Sequence, residues 1–383
     1  MNRLIATTGG TSGIDSAPSC DVTAGSPDRT HGAKAISWNP DFGGRPQTSW
    51  QTQLREAIRT PLALARVLGI DLRDLPYSLE AQDSFPLLAP EAYVQRIKRG
   101  DPQDPLLRQI LASVDELNDA EGFSRDPVGE VQYYAGKNAE SGNADAVLQK
   151  YSGRALLVVT GQCAINCRYC FRRHYPYEEQ RQSSQERQAA LNQLLENDSL
   201  KELILSGGDP LVLPDSQLEK IARKVGQRPD VTLRIHSRLP VVIPDRVTAQ
   251  LLDAICGQID KVVVVLHCNH HREIDAQVSR AIRRMRARGI TVLNQSVMLS
   301  KVNDSADVLA QLSDKLFDAG ALPYYIHLLD RVEGAAHFDV AEDEARRIVG
   351  ELAERRPGYL VPKLAREVAG ACSKQLLAPI YSN

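Results

Sequence analysis

Six short apolar runs alternate with six helical patterns through most of the chain, and this alternation limits the possible folds more than any other feature. The apolar or β-branched runs occupy residues 154–160, 202–205, 232–236, 261–267, 290–297 and 324–329. The helical patterns that follow them occupy residues 185–195, 216–225, 246–255, 274–288, 306–318 and 342–353. Strands that alternate with helices predict a parallel sheet covered by helices. Because such crossovers are right-handed, we expect the six units to curl into a partial barrel.

Three cysteines follow the first predicted strand with the spacing C-x3-C-x2-C, at Cys163, Cys167 and Cys170. Three thiolates can bind three irons of a cubane cluster, and the fourth iron then stays open to a small ligand. A structural zinc site usually has four protein ligands, so zinc would need His174 or a distant residue as well. Since active sites of barrels assemble at the carboxyl ends of the strands, the triplet is predicted to lie at the barrel mouth.

The other predicted strands also end in polar residues. Ser206-Gly-Gly-Asp-Pro210 follows the second, and its glycines allow a close approach of the backbone to a ligand. His236, His267 and Asp330 stand at later strand ends, and the fifth strand contains Asn294-Gln-Ser296. We interpret His236 as structural. Polar residues at every strand end predict one shared binding site.

Size and composition exclude several classes of protein. A chain of 383 residues can bury a large core, and its formal net charge of −2 argues against a general nucleic-acid binder. No apolar run approaches the roughly 18 residues of a membrane helix, and no secretory signal is recognisable. The seven cysteines are odd in number, and four of them are scattered. We therefore expect a cytoplasmic protein without a disulfide framework, bound to neither nucleic acid nor membrane.

The N-terminal part of the chain follows a different pattern. Residues 1–37 are rich in Gly, Ser, Thr, Asp and Pro and are predicted to form a disordered leader. Residues 38–149 are predicted to form an N-terminal helical region and a connector. Thr60-Pro61 is a helix start, and Asp104-Pro105 is expected to open a helix that carries Leu106, Leu107, Ile110 and Leu111. Residues 121–149 contain few apolar residues and are expected to be rich in loops.

The cysteine triplet, with Tyr169 beside its last member and Gly207-Gly208 after the second strand, resembles the radical S-adenosylmethionine superfamily. Residues 85–375 are more specifically similar to the lysine 2,3-aminomutase family. The motifs that carry this similarity are Lys150-Tyr-Ser-Gly-Arg154, Cys170-Phe-Arg-Arg173, Ser206-Gly-Gly-Asp-Pro-Leu211, Arg238-Leu-Pro-Val-Val-Ile-Pro244, Asn294-Gln-Ser-Val297, Val302-Asn-Asp304 and Gly358-Tyr-Leu-Val-Pro362. Ala335-Ala-His-Phe338 and residues 361–367 are similar to the branch that makes β-lysine for elongation factor P.

The resemblance implies an α/β fold, a partial (β/α)6 radical-SAM barrel at residues 150–357, and a short C-terminal segment at 358–383 that carries the cofactor lysine. It also implies three cofactors. A [4Fe–4S] cluster held by Cys163, Cys167 and Cys170 would bind S-adenosylmethionine at its open iron and cleave it to a 5′-deoxyadenosyl radical. Pyridoxal 5′-phosphate would be attached to Lys374, whose amine can exchange with that of the substrate. The chain has no cysteine cluster after Lys374, so we expect no zinc.

The family's other site residues match positions of this sequence as follows. Tyr151 and Arg154 match positions that hold pyridoxal phosphate, with Arg154 on the phosphate group. Ser206, His267 and Gln295 match contacts of S-adenosylmethionine.

Three further positions match the family's substrate contacts. Arg172 matches the residue that binds the α-carboxylate of the substrate, and Asp330 and Glu367 match the two acids that receive its ε-ammonium. The clostridial-type enzymes carry aspartate at the position of Glu367. The run Gly370-Ala-Cys-Ser373 replaces the glycine run that precedes the cofactor lysine in many members.

The implied activity is that of an L-lysine 2,3-aminomutase, which converts α-lysine to β-lysine, expected as the R form, by radical migration of the amino group. It would require a flavodoxin- or ferredoxin-type electron donor and act upstream of an elongation factor P lysyl ligase. Two alternatives stay open. One is a related aminomutase that acts on another amino acid, such as glutamate. The other is a non-enzymatic iron–sulfur or zinc redox sensor.

Overall fold

The computed structural model describes residues 49–131, 147–151, 153–177, 183–371 and 373–381. The leader predicted at residues 1–37, together with Cys20 and Cys372, lies outside the described residues. Each cysteine within them is a free thiol. None of the helices in these ranges combines the length and the apolar character that crossing a bilayer demands.

The described strands form one sheet in which spatial order follows chain order. Strands β2 to β8 are mutually parallel, while β1 and β9 pair antiparallel with β2 and β8 at the two edges. The strands are β1 Val147–Tyr151, β2 Arg154–Thr160, β3 Glu202–Gly207, β4 Thr232–Ser237, β5 Val262–His267, β6 Thr291–Val297, β7 Leu322–His327, β8 Lys363–Arg366 and β9 Gln375–Leu376.

Helices connect the parallel strands and also build the region before β1. The N-terminal helices are α1 Trp50–Arg55, α2 Pro61–Leu68, α3 Leu79–Ser84, α4 Glu91–Val94 and α5 Pro105–Arg108. The later helices are α6 Ser184–Glu196, α7 Asp215–Val225, α8 Leu239–Val242, α9 Ala249–Cys256, α10 Ala276–Ala287, α11 Ala306–Ala319 and α12 Glu342–Arg355. Short 3-10 helices lie at Leu72–Asp74, Val114–Leu117, Pro210–Val212, Pro244–Arg246, His271–Glu273, Ala336–Phe338 and Gly358–Leu360.

The predicted fold class is confirmed, since each of the six predicted strand–helix units is present within a few residues of its expected bounds. The result is a partial (β/α)6 barrel. Thr60 caps α2 as expected, because its hydroxyl accepts a hydrogen bond from the Ala63 amide. Helix α5 is shorter than predicted and ends at Arg108. Strand β7 begins earlier than expected, at a register shift beside Pro323, which lacks a backbone donor.

One hydrophobic core joins the sheet to the N-terminal helices. Alternate residues of β2 point away from the barrel interior toward the surrounding helices. Ala155, Leu157 and Val159 are therefore buried between the sheet and the helices. Leu64 and Ile110 from the N-terminal helices belong to the same core cluster. The N-terminal region is therefore packed on the barrel as part of its core.

Gly350 in α12 lets the C-terminal segment lie directly on that helix. A Cβ at this position would overlap the carbonyl oxygen of Ile380. Arg346 one turn earlier fixes the same segment, since its Nε donates to the Ala378 carbonyl at 2.8 Å and its own carbonyl accepts from the Ile380 amide at 3.0 Å. The close approach thus anchors the chain that follows β9.

Replacing Gly350 with alanine should force the C-terminal segment off α12 and lower the free energy of unfolding by about 1–3 kcal/mol, the usual cost of overpacking. Urea unfolding measures this loss. Gly358→Ala is the matched control, because nothing lies within 4 Å of a Cβ built there. Equal stability of the Gly350→Ala and Gly358→Ala proteins would contradict this packing.

Candidate active site

The carboxyl ends of the parallel strands surround a cavity of about 310 Å³. Residues one apart on a strand point to opposite sides, so the side chains that do not face the helices face this cavity. The predicted site residues that line it are Arg154, Cys163, Cys167, Cys170, Arg172, Ser206, His267, Gln295, Asp330, Glu367 and Lys374. Tyr151 belongs to β1, and its side chain lies outside the described part of the chain.

The loop that carries the three cysteines, residues 163–170, is anchored to the N-terminal helical region. The amides of Asn166 and Arg168 donate to the carbonyls of Leu88 and Gln109 at 3.0 and 2.9 Å. Because these bonds use main-chain atoms of the loop itself, they limit where the cysteines can lie. The N-terminal region therefore positions the cysteine loop.

A buried carboxylate also ties this loop down. Glu116 accepts a hydrogen bond from Arg168 Nε at 2.8 Å and another from Arg173 Nη2 at 2.8 Å. The side chains of Glu116 and Arg168 are 1% and 0% exposed, so the ions are compensated by each other rather than by water. Glu116 sits in a 3-10 turn that Ser113 caps.

The three cysteines line one cavity from a single loop, as three thiolate ligands of one cubane cluster must. Nowhere in the described ranges do three His, Cys, Asp or Glu side chains surround one possible ion position. His174 instead places Nε2 3.2 Å from the Glu333 carbonyl oxygen. A cubane cluster distributes three thiolates over three different irons, so it does not require them around one point.

Two of the three thiols are neutral when no metal is bound. Burial, reinforced by Cys167, raises the pKa of Cys170 to about 11, and burial raises the pKa of Cys163 well above its ordinary value. Thiolates at these positions therefore require strong positive charge nearby. Bound iron would supply it, because coordination to a metal deprotonates a thiol.

Two glycines let the turn after β3 lie against the start of the cysteine loop. A Cβ at Gly207 or Gly208 would overlap the carbonyl oxygens of Thr160 or Gln162. The amides of Gly208 and Asp209 donate to these same carbonyls at 2.7 Å. The Gly-Gly pair is thus required by backbone contact between two strand ends.

Arg172 is held by an acid that the sequence did not indicate. Its Nε and Nη2 donate to the two carboxylate oxygens of Glu130 at 2.7 and 2.9 Å, and Nη1 donates to Ser206 Oγ at 2.9 Å. Glu130 lies in the stretch expected to be loop-rich, where composition carries no signal for an acid with a partner. The bidentate pair fixes the plane of the guanidinium at the cavity.

Lys374 and Glu367 stand at the two ends of the turn that joins β8 to β9. Lys374 Nζ donates to a carboxylate oxygen of Glu367 at 2.6 Å, and both side chains line the cavity. Strands β8 and β9 pair antiparallel, with Arg366 opposite Gln375, which brings the two residues together. Asp330 lines the same cavity.

Three histidines of the cavity lining are held neutral. Burial, with the charges of Arg238 and Arg172, lowers the pKa of His267 to about 3, and burial with Lys374 lowers the pKa of His327 to about 3. Burial and His267 lower the pKa of His236 well below its ordinary value. His236 contacts the His267 ring edge to face, and its Nε2 has no hydrogen-bond partner within the described ranges. The sequence analysis interprets His236 as structural, and the structure places its ring in the cavity wall.

Removing Glu116 should test whether the cysteine loop depends on its buried anchor. Glu116→Ala leaves Arg168 and Arg173 without their carboxylate, and we expect a loss of about 3–5 kcal/mol in unfolding free energy by urea titration. Asp115→Ala changes the exposed neighbouring acid and should cost less than about 1 kcal/mol. A loss of similar size in the two variants would contradict the anchor.

The buried neutral His327 should make the cofactor-free protein less stable in acid. Its folded pKa of about 3 lies below that of an unfolded histidine, so the unfolded state alone binds this proton as pH falls from about 6.5. His327→Asn should reduce the slope of unfolding free energy against pH between pH 4.5 and 6 by about 1.4 kcal/mol per unit. Urea titrations across this range measure the slope, and His174→Asn, at a half-buried histidine whose pKa burial also lowers, should reduce it less. An unchanged slope in His327→Asn would contradict a neutral His327.

The sequence of this chain is similar to those of known proteins. The Radical SAM superfamily model matches residues 157–312. L-lysine 2,3-aminomutase of Escherichia coli (strain K12) is 46% identical over 327 residues, which span 85% of this chain and 93% of that enzyme. The enzyme of the same name from Haemophilus influenzae is 43% identical over 87% of this chain and 97% of its own length. That of Clostridium subterminale is 29% identical over 89% of this chain and 80% of its own length. The chain therefore belongs to the lysine 2,3-aminomutase family of the radical S-adenosylmethionine superfamily.

Proposed function

We propose that this chain is an L-lysine 2,3-aminomutase, which moves the α-amino group of lysine to the β-carbon and releases β-lysine. The observation that carries the proposal is the cavity that contains both the cysteine triplet and the Lys374–Glu367 pair. A radical generator and an amine that can hold pyridoxal phosphate would thus serve one substrate. The names and the nearly complete coverage of the relatives support the same activity.

Two sets of residues would hold the cofactors. Cys163, Cys167 and Cys170 would bind the [4Fe–4S] cluster. Lys374 would bind pyridoxal phosphate at its aldehyde carbon, and Arg154 would bind its phosphate group. When bound, the cluster and S-adenosylmethionine supply the radical that removes a hydrogen atom, and pyridoxal phosphate supplies the conjugated ring that lets nitrogen migrate.

S-adenosylmethionine would meet the side chains at the ends of β3, β5 and β6. Ser206 accepts from Arg172, and Gln295 donates from its amide to His267 Nε2 at 2.9 Å. Because His267 is neutral, it can accept or donate a hydrogen bond without placing a second positive charge beside the sulfonium. These contacts support Ser206, His267 and Gln295 as its binding residues.

Glu367 and Asp330 would select a substrate with a distal ammonium group. The pairing of Lys374 with Glu367 is itself a contact between a lysine ammonium and this carboxylate, and the ε-ammonium of the substrate has the same chemistry. A distal carboxylate, as in glutamate, would be repelled by both acids. The acids therefore favour lysine over the glutamate alternative.

Arg172 would bind the α-carboxylate and so fix the other end of lysine. Glu130 already orients the guanidinium, and Nη1 faces Ser206 in the cavity lining. A guanidinium held in one plane loses little freedom when it binds a carboxylate. Binding at both ends would hold the β-hydrogen of lysine at one place, which radical abstraction requires.

We further propose that the product is (R)-β-lysine for a ligase that attaches it to elongation factor P, in the cytoplasm. The stretches 335–338 and 361–367 support this branch of the family. The electron would come from a reduced flavodoxin or ferredoxin. The ligase is a separate enzyme, so the proposed activity requires no contact between this chain and elongation factor P.

Anaerobic reconstitution tests the proposed activity against the redox-sensor alternative. The protein with four irons and four sulfides per chain is incubated with lysine, pyridoxal phosphate, S-adenosylmethionine and dithionite, and the product is resolved by chiral chromatography. We expect (R)-β-lysine, and none when S-adenosylmethionine is omitted. One tightly bound zinc without cleavage of S-adenosylmethionine would contradict the enzyme and support a sensor.

Asp330→Asn should weaken lysine binding without preventing cleavage of S-adenosylmethionine. Loss of one charged contact is expected to raise the KM for lysine about 10-fold or more, since such bonds contribute about 1.5–3 kcal/mol. Initial rates of β-lysine formation measure KM, and 5′-deoxyadenosine measures cleavage. Asp339→Asn is the control, because Asp339 pairs with Arg331 and does not line the cavity. An unchanged KM for lysine in Asp330→Asn would contradict the pocket assignment.

A further inference from the structure

Arg238 extends from the end of β4 to one particular cysteine of the loop. Its Nη1 lies 2.7 Å from Cys167 Sγ and 2.6 Å from the Tyr169 hydroxyl. The residue is 5% exposed, so water does not compete for these contacts. Among the hydrogen bonds of the described ranges, no charged side chain donates to the sulfur of Cys163 or Cys170. Cys167 is thus distinguished from the other two cysteines.

A buried network prevents the guanidinium from moving away. Arg238 Nη2 donates to Glu273 at 2.9 Å and to the Gln109 side-chain oxygen at 2.8 Å. Glu273 is fully buried and accepts from the amides of Asn269 and His270 at 3.0 and 3.1 Å. Main-chain donors therefore hold the acid, and the acid holds the arginine.

The backbone of Arg238 is fixed as well. Its amide donates to Asp209 at 2.8 Å, and Asp209 also accepts from the Ser237 hydroxyl at 2.7 Å. The rings of Tyr93 and Tyr169 lie 5.5 and 5.6 Å from the guanidinium carbon. This arginine is therefore preorganised toward the sulfur before any cluster is bound.

A cation that donates a hydrogen bond to a ligand sulfur affects the two oxidation states of a cluster unequally. Reduction transfers one electron from the donor to the cluster and adds one negative charge, while no proton moves and no covalent bond breaks. The extra charge is delocalised onto the sulfurs, so an N–H donor and a positive charge stabilise the reduced state more than the oxidised state. Burial strengthens this effect, because the effective dielectric constant is low.

We propose that Arg238 sets the reduction potential of the cluster through its hydrogen bond to Cys167. The inference rests on the proposed cluster site. It adds Arg238 to that site as a positioning residue that tunes the reduction potential of the cluster. Arg238 raises the potential so that a low-potential one-electron donor, a reduced flavodoxin or ferredoxin, can reduce the cluster. Glu273 orients the arginine and, by its negative charge, limits the increase.

Potentiometric titration followed by electron paramagnetic resonance tests this proposal on the reconstituted full chain without S-adenosylmethionine. In Arg238→Gln, the ratio of reduced to oxidised cluster at a fixed solution potential should fall about tenfold, a negative shift of 59 mV for a one-electron couple. Arg238→Lys keeps the charge but not the planar fork, so its shift should have the same sign and be smaller.

Arg246→Gln is the matched control. Arg246 is also fully buried, donates to the carbonyls of Leu211 and Leu213, and stacks on Trp50 with 4.3 Å between the guanidinium carbon and the ring centroid. It does not line the cavity. Its loss should lower Tm and leave the potential unchanged.

The outcomes separate this inference from the proposed function. An unchanged potential in both Arg238 variants would overturn the inference alone, even if their iron content or Tm fell, because a merely structural role predicts that pattern. A wild-type chain that takes up no four-iron cluster would overturn the proposed function and this inference with it. If Arg238→Gln does not fold, Arg238→Lys decides, since an unchanged potential in it also overturns the inference.

Discussion

The parallel register of β2 to β8 is the constraint on which the rest of the structure depends. Parallel pairing directs the carboxyl ends of these strands to one edge of the sheet. The helices that connect the strands lie on the outside and return the chain to the opposite edge. Side chains separated by more than a hundred residues, such as Ser206 and Asp330, therefore line one cavity. The antiparallel strand β9 also contributes to the cavity, because the turn from β8 to β9 carries Lys374 into the cavity lining.

Three regions of the chain meet at that cavity, and each is held there by its own polar contact. The N-terminal helices hold the cysteine loop through Glu116 and main-chain bonds. The stretch before β1 supplies Glu130, which orients Arg172. The C-terminal segment is held on α12 by the hydrogen bonds of Arg346 with Ala378 and Ile380, which the absent side chain of Gly350 permits. Buried charges recur at these contacts, and each is compensated by an opposite charge, as burial in a low dielectric requires.

The sequence predicts the barrel well because each strand–helix unit has a local period that a parallel sheet needs. It does not predict the edge strands β1 and β9 or the short strand β8 beside β9, because their pairing depends on neighbours across the fold. Among the site residues, the cysteine triplet follows from spacing alone, whereas Lys374 follows only from resemblance to a family. Glu130 was missed, and His236 and Arg238 were noted only as a strand-end and a motif residue without a role in the site, because an acid, an arginine or a histidine has no periodic signal. Their places depend on contacts across the fold, such as Arg238 with Cys167.

The central claim is that Lys374 holds pyridoxal phosphate in the same cavity as the cysteine triplet. Borohydride reduction of the protein loaded with pyridoxal phosphate fixes the cofactor covalently to the amine that holds it, and mass spectrometry of the peptides then locates the adduct. We predict one adduct, on Lys374, which is absent from Lys374→Arg and reduced in yield when excess lysine is present. An adduct on a different lysine, with Lys374 unlabelled, would contradict the account.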